Sequence, residues 1–335
     1  MQKIEFINLL NSKNKSLIDY ANLIDGSFLY QKNILDYKSA IFLLKNPYLG
    51  IPILFSNKLK KYFFIDSKQD YLIKKKLIRK YIYCNSSKDY TPLKQYIQFG
   101  DRYSYLMSPK KKYNQLIKKI IKFNSNSRLK VKNLKKKYED KKICAFQTRN
   151  IPHLGHQKII DYLLLKYDHV VINPIIGPKK KGDVKFEILE KVFKFLIKNK
   201  YKKKVSYIPY IANMFYAGPR EAIHHANIRY CLGFDNFVVG RDHAGAENCY
   251  EPDGAIKFVK KYKKYMDINI EIVKGSYFCI KCDKIIIKGQ CNHINIKNIS
   301  GTEFRDCLRK KFFFKYADVD LQKYVFKLRE KLFVE

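Results

Sequence analysis

From Lys142 onward, short apolar runs alternate with stretches of helical period. This alternation restricts the fold more than any other feature of the chain. It predicts strands at Ile143–Phe146, Val170–Ile176, Val205–Ile208, Phe237–Val239 and Ile268–Val273. Helices are expected from His156 to Tyr167, Lys185–Lys198, Arg220–Leu232 and Ala255–Tyr265, the third introduced by Gly218-Pro219, because proline suits a first helical turn. Strands joined through helices form a parallel sheet of right-handed βαβ units. The expected fold class is therefore α/β, a Rossmann-like parallel sheet over residues 136–275.

Residues 1–135 read differently. Short apolar runs at Ile51–Phe55, Tyr62–Ile65 and Leu77–Tyr83 lie between Gly, Asn, Ser and Asp punctuation, the pattern of a small mixed, β-rich domain. A lysine-heavy connection follows, with helices expected at Tyr113–Lys122 and Lys132–Tyr138. Residues 276–335 form a C-terminal segment that opens with a Cys/His cluster and ends in a helical tail.

The formal net charge of +38 raises nucleic acid as a partner. Against that, the lysine runs are spread along the whole chain, and Lys, Ile, Asn, Tyr and Phe are abundant while Trp is absent, as AT-rich coding dictates. Most runs read as solvated faces, with non-specific polyanion binding expected only at low salt. With 46% hydrophobic and 15% aromatic residues, the chain is no disordered polycation. No apolar run is long enough to span a membrane, and Met1–Glu5 lacks the layout of a signal, so a soluble cytoplasmic protein is expected.

Chemistry-bearing residues gather at two predicted strand ends. After Phe146 comes Gln147-Thr148-Arg149-Asn150-Ile151-Pro152-His153-Leu154-Gly155-His156, and after Val239 comes Gly240-Arg241-Asp242-His243-Ala244-Gly245. Ligands of open α/β sheets bind beyond the carboxyl ends of strands, and a helix start there offers N–H groups to anions. The three-residue offset of His153 and His156 puts two imidazoles at one helix mouth, with Gly155 between them removing a side chain so that a nucleotide can approach. Near the C-terminus, Ile299-Ser300-Gly301-Thr302-Glu303-Phe304-Arg305 combines an N-cap with a basic residue. Cys279-x-x-Cys282 with Cys291-x-His293 has the logic of a structural zinc site, His293 being the ligand with the tightest spacing. The five other cysteines are scattered, as suits a reducing compartment.

The His153-x-x-His156 pattern resembles that of the nucleotidylyltransferase superfamily. Together with Gln147–Asn150, Pro174–Asp183, Tyr216-Ala217-Gly218-Pro219-Arg220-Glu221-Ala222 and Gly240–Gly245, it resembles the ATP sulfurylase (sulfate adenylyltransferase) family over residues 143–305. The resemblance implies that magnesium-bound ATP and sulfate give adenosine 5′-phosphosulfate (APS) and pyrophosphate, or the reverse. It further implies sulfate contacts from Arg149, Arg241, Gln147 and the backbone of Ala244. ATP contacts are implied for Gln147, Thr148, Asn150, His153, His156, Gly240, Asp242 and His243, with Thr148, Arg149, Asn150, His153, His156 and Arg241 in the chemistry. It makes residues 1–135 a reduced PUA-like domain and the protein a homo-oligomer. The chain departs from the family at Phe215, where arginine is usual, and at Gln157, where glutamate is common. His224 and His225, mid-helix, read as structural. Another nucleotidylyltransferase, or a basic zinc-bearing nucleic-acid-binding protein, are the competing readings.

Overall fold

A computed structural model of the chain describes residues 15–29, 46–49, 114–139, 141–179, 181–214, 218–241, 243, 251, 253–328 and 330–334. The three apolar runs expected to build the N-terminal domain, and therefore most of that domain, lie outside the described residues.

The centre of the fold is a parallel five-stranded sheet made of β1 (Ile143–Phe146), β2 (His169–Ile172), β4 (Val205–Tyr207), β6 (Asn236–Gly240) and β7 (Asn269–Val273). Its spatial order is β4-β2-β1-β6-β7. The chain runs outward from β1 through β2 to β4, then returns to the other side of β1 for β6 and β7. The strand order thus reverses between β1 and β6, the place where open α/β sheets leave a crevice at their carboxyl edge. Both chemistry-bearing segments leave the sheet there.

Side chains alternate across this sheet as period two requires. Ile143, Ala145, Val171, Phe237 and Val239 pack into one core. Cys144, Phe146, Val170, Ile172 and Val238 pack into the other. Helices α5 (Pro219–Cys231) and α6 (Gly254–Tyr262) cover the first face. The second is covered by α3 (Leu154–Leu163), α4 (Phe186–Leu196), α7 (Gly301–Lys310) and α8 (Val319–Lys327). Burial on both faces is why the central strands β1, β2 and β6 are largely apolar runs, while the edge strands β4 and β7 carry Ser206 and Glu271.

One proline splits an expected strand and another follows a second. The run 170–176 divides into β2 and β3 (Ile175–Ile176), while the strand expected at Val205–Ile208 is β4, with an additional strand, β5 (Tyr210–Ile211), beyond Pro209. Pro174 and Pro209, lacking N–H groups, end the main ladder, and β3 pairs with β5 as a separate parallel ribbon. The ribbon is tight: a Cβ on Gly177 would run into the carbonyl oxygen of Ala212.

Two helices expected before residue 138 are one, α2 (Asn114–Lys137). The polar stretch Asn124-Ser125-Asn126-Ser127 lies between the two expected helices, and its buried members have partners in the ribbon. Asn124 Nδ2 donates to Ile211 O (3.1 Å) while its Oδ1 accepts from Ile211 N (3.0 Å), and Ser127 Oγ donates to Pro209 O (2.8 Å). Helix α1 (Lys15–Ile24) joins the same corner, with Asn22 Oδ1 accepting from Asn124 Nδ2 at 2.9 Å. Beyond β7, an antiparallel sheet of order β10-β8-β9 is formed by β8 (Ser276–Cys279), β9 (Lys284–Ile287) and β10 (Ile296–Asn298). Among the described residues, no helix is long and apolar enough to cross a membrane.

Two histidines away from the crevice are buried as neutral rings. His169 Nε2 lies 2.8 Å from Ser206 Oγ, and desolvation holds its pKa near 4. His224 packs on Phe28 at a 4.9 Å ring separation, with its pKa held near 3, again by desolvation first and then by His225. Both rings titrate near ~6.5 when unfolded. Their contribution is therefore complete above pH 6.5 and is lost as the pH falls from there toward 4, because the unfolded chain takes up the protons first. Thermal denaturation should show Tm level between pH 7 and 8 and at least ~3 °C lower at pH 4.5. His169→Gln should flatten part of that fall, and identical pH profiles for the two proteins would contradict it.

Candidate active site

The first segment begins where β1 ends. Its residues are held close to the sheet: Thr148 is buried, and Gln147, Arg149 and Asn150 are half-buried. Thr148 Oγ1 accepts from the N–H of Asn150 at 3.3 Å, closing a small side-chain turn that directs the chain toward α3. Gln147 Nε2 has a thioether, Met214 Sδ, as its partner at 3.8 Å. Sulfur is a weak acceptor, so an oxyanion in the crevice offers that amide a stronger bond.

His153 is the N-cap of α3. Its Nδ1 accepts from Gly155 N–H at 3.1 Å, while His156 Nδ1 accepts from His153 N–H at 3.4 Å. The pair thus forms a reciprocal cap of the kind Ser and Glu make elsewhere. A ring nitrogen that accepts carries no proton, so both imidazoles keep theirs on Nε2. The rings lie 4.0 Å apart. Burial, and His156 beside it, depress the proton affinity of His153; burial lowers the pKa of His156 to about 4. At neutral pH both rings are uncharged, and each has one N–H to donate.

Gly155 has a different reason from the one expected. A Cβ there would lie 2.5 Å from Ser276 Oγ and 2.8 Å from His153 Cε1. The glycine makes room for the loop's own imidazole and for β8.

The second segment leaves β6 at Gly240. Arg241 sits over the ring of Tyr277 at 5.4 Å, a cation–π contact that seats the guanidinium. His243 Nε2 is 2.9 Å from His225 Nδ1 on α5. Asp242 and Ala244, singled out from the sequence, lie outside the described residues, as does Phe215.

Further cations converge on Arg149. Lys179, in the loop after β3, bonds Ile175 O at 3.3 Å. Its pKa is lowered to about 8 chiefly by desolvation, opposed by Asp183 and reinforced by Arg149. Arg305 of α7 donates to Asn150 Oδ1 (2.9 Å) and to Thr302 Oγ1 (3.0 Å), tying the C-terminal helix to the first loop. Desolvation and then Arg149 lower its proton affinity. Clustered, partly desolvated cations destabilise one another, and a bound anion relieves them. Lys179, Ser276 and Tyr277 were not singled out from the sequence. Lys179 was hidden in a lysine run; the other two carry no signal of their own.

The cysteine cluster sits on the β8–β10 sheet. His293 Nδ1 lies 3.4 Å from Cys279 Sγ and 3.2 Å from Cys282 Sγ, and Cys291 Sγ lies 3.7 Å from Cys279 Sγ. All four ligand atoms fall within 4.8 Å of one another. A tetrahedral zinc site requires sulfur–sulfur edges of about 3.8 Å and sulfur–nitrogen edges of about 3.5 Å, from its bond lengths. The cluster fits a metal, and His293 turns inward with the three thiols.

Comparison with known proteins bears on the same region. A sulfate adenylyltransferase of Pyrococcus abyssi is 38% identical over 175 residues, 51% of this chain and 45% of that one. One from Ignicoccus hospitalis is 39% identical over 170 residues, 49% and 44% of the two chains. The match thus spans less than half the length of these relatives. Among solved structures, a hexameric APS kinase from Thiobacillus denitrificans aligns with a TM-score of 0.48 at 12% identity, covering 60% of this chain and 39% of that one. The ATP-sulfurylase family model matches residues 125–312, more than half of the chain, from the last turns of α2 through the crevice and the cysteine cluster to the end of α7. With both strand-end segments, the paired imidazoles and Arg305 all inside that match, the chain belongs to the ATP-sulfurylase family.

Proposed function

We propose that the protein is an ATP sulfurylase, transferring the adenylyl group of ATP to sulfate with release of pyrophosphate, or running the same reaction in reverse. The observation that carries this reading is the crevice itself. One reversal of strand order gathers Arg149, Lys179, Arg305 and two neutral N–H donors, a set suited to two anions of several charges.

Each residue has a chemical task in this reading. Sulfate is a weak nucleophile and must be stripped of water and aimed at the α-phosphorus. Arg149 and Arg241 hold it by guanidinium forks, with Gln147 Nε2 and the backbone of Ala244 completing its shell. Thr148, Asn150, Gly240, Asp242 and His243 line the ATP side. A sulfate oxygen attacks in line, a new phosphorus–oxygen bond forms, and the bond to the pyrophosphate oxygen breaks. Charge grows on the α-phosphoryl oxygens and on the leaving group. His153 and His156 meet it with Nε2–H, and Arg305 and Lys179 face the departing phosphates. Magnesium enters with the nucleotide.

The cysteine cluster is read as a structural zinc site of three thiolates and His293, with no open position. When bound, zinc would supply cross-linking of the end of β8, the turn after it and the loop before β10. Ser276 and Tyr277 lie at the other end of β8 from Cys279, so the cluster also steadies the strand that supports Arg241 and packs against Gly155.

Purified protein should release pyrophosphate from ATP only when sulfate is present; release independent of sulfate would exclude the assignment. In that assay Arg149→Lys and Arg241→Lys, which keep charge and lose the fork, should each lower kcat/KM for sulfate by at least ~10-fold. Unchanged kinetics in both would remove the sulfate roles.

Gly155→Ala tests the imidazole pair. Displacing His153 should cut kcat by ~10–100-fold with the KM for ATP little changed, because the N–H donors act as charge develops. A rise in KM alone would make the histidines ground-state contacts.

Metal analysis of protein purified under reducing conditions should find one zinc per chain. Cys282→Ser should lower that content and the melting temperature together. Metal-free protein of full stability would refute the site.

A further inference from the structure

Helix α5 is enclosed over nearly its whole length: every residue from Arg220 to Arg229 is buried. Within it, the polar side chains at 221 and 225 form a line of their own, one turn apart. Glu221 Oε1 lies 3.1 Å from His225 Nε2, both side chains having no exposure, an ion-pair approach without full hydrogen-bond geometry. From the other side of the same ring, His225 Nδ1 lies 2.9 Å from His243 Nε2. The rings of His225 and His243 meet edge-on at 5.2 Å, and Phe237 closes against His243 at 5.6 Å. His243 is only half-buried, two residues beyond Arg241.

The line has one polarity. Glu221 stands in the first turn of α5, where the helix N–H groups favour a carboxylate. A carboxylate only accepts, so His225 must turn Nε2–H toward it, since a ring lone pair there would face an anion. A neutral ring protonated on Nε2 accepts at Nδ1. His243 Nε2 must therefore donate to it, and His243 Nδ1 is left as an acceptor. Both rings are held neutral by desolvation first, with His225 lowering His243 next, and Arg229 and Arg149 lowering both.

We propose that Glu221, acting through His225, is a positioning residue that fixes the tautomer of His243, so that His243 meets the nucleotide through Nδ1 as a hydrogen-bond acceptor. Its partner on ATP is then a hydroxyl or amino group of the nucleoside. It is not a phosphate or sulfate oxygen, which can only accept. This assignment rests on reading the crevice as an ATP site. It gives His243 the opposite polarity to His153 and His156, whose Nε2–H groups suit oxyanions.

The test reads the proton directly. Long-range proton–nitrogen NMR spectra of the full chain labelled with 15N-histidine should show His225 and His243 neutral and protonated on Nε2. In Glu221→Gln the isosteric carboxamide can turn its NH2 toward His225, which permits the reversed line. His243 should then shift its proton to Nδ1, and the KM for ATP should rise at least ~10-fold, as loss of a matched buried hydrogen bond implies, with the KM for sulfate within ~2-fold of wild type. A purely structural role for Glu221 would lower Tm without moving the tautomer. A wild-type His243 protonated on Nδ1 overturns the proposal, and that spectrum decides even where Glu221→Gln fails to fold. A Glu221→Gln protein that keeps both the tautomer and the KM for ATP overturns it as well. A wild-type protein with the assigned tautomers but no sulfate-dependent pyrophosphate release would instead overturn the ATP reading, and the nucleotide contact of His243 with it.

Discussion

Like charges crowd together in a folded protein only where something holds them and something else compensates. Arg149, Lys179 and Arg305 feel one another across the crevice, and the consequence is visible in Lys179, whose ammonium is held near pKa 8 by desolvation and by Arg149, against the pull of Asp183. Each cation is brought by a different element: Arg149 by the loop after β1, Lys179 by the loop after β3, Arg305 by α7. Their convergence follows from the reversal of strand order between β1 and β6, which opens the sheet edge, and from the β3–β5 ribbon, which carries Lys179 toward it. The surrounding fold must supply the energy that opposes this repulsion, and the two apolar cores on either face of the sheet are its source.

The small C-terminal sheet is part of the same arrangement. Strand β8 begins at Ser276, whose hydroxyl fills the space beside Gly155, passes through Tyr277, which seats Arg241, and ends at Cys279 of the Cys/His cluster. Four residues therefore connect the imidazole pair, Arg241 and that cluster. Arg305 makes a second connection, from α7 to Asn150. The C-terminal segment is thus a brace for the loops of the crevice as well as a covering for the second core.

Much of this was legible in the sequence, for a physical reason. Strands buried on both faces must be largely apolar, so the central strands β1, β2 and β6 stand out, and the segments that follow two of them carry the polar residues. What was not legible came from partners distant in the chain. Asn124 and Ser127 fall between two expected helices until the carbonyls of Ile211 and Pro209 are placed beside them. The run 170–176 looks like one strand, although Pro174 ends the ladder inside it. Gly155 suggested room for a ligand, but the space is taken by His153 and Ser276. Lys179 could not be told in the sequence from the lysines that follow it. Apart from Pro174, which stands in the run itself, the deciding neighbour lies tens of residues away or in a ring whose position only the fold defines.

The charge states of the histidines show how such a crevice can discriminate between ground state and transition state. In the proposed adenylyl transfer, fixed cations would attract ATP and sulfate before reaction about as strongly as during it, and uniform attraction of that kind lowers KM without raising turnover. Adding protonated histidines would enlarge that uniform part. The protein instead keeps His153 and His156 neutral by burial and sets their tautomers with the first N–H groups of α3. Their remaining N–H groups are directional and short-ranged, so they distinguish an oxygen at the right point from one nearby. Charge that builds on the α-phosphoryl oxygens strengthens such bonds where they already point. In that proposed reaction the guanidinium and ammonium groups would supply affinity, and the helix cap the geometry through which part of that affinity becomes rate.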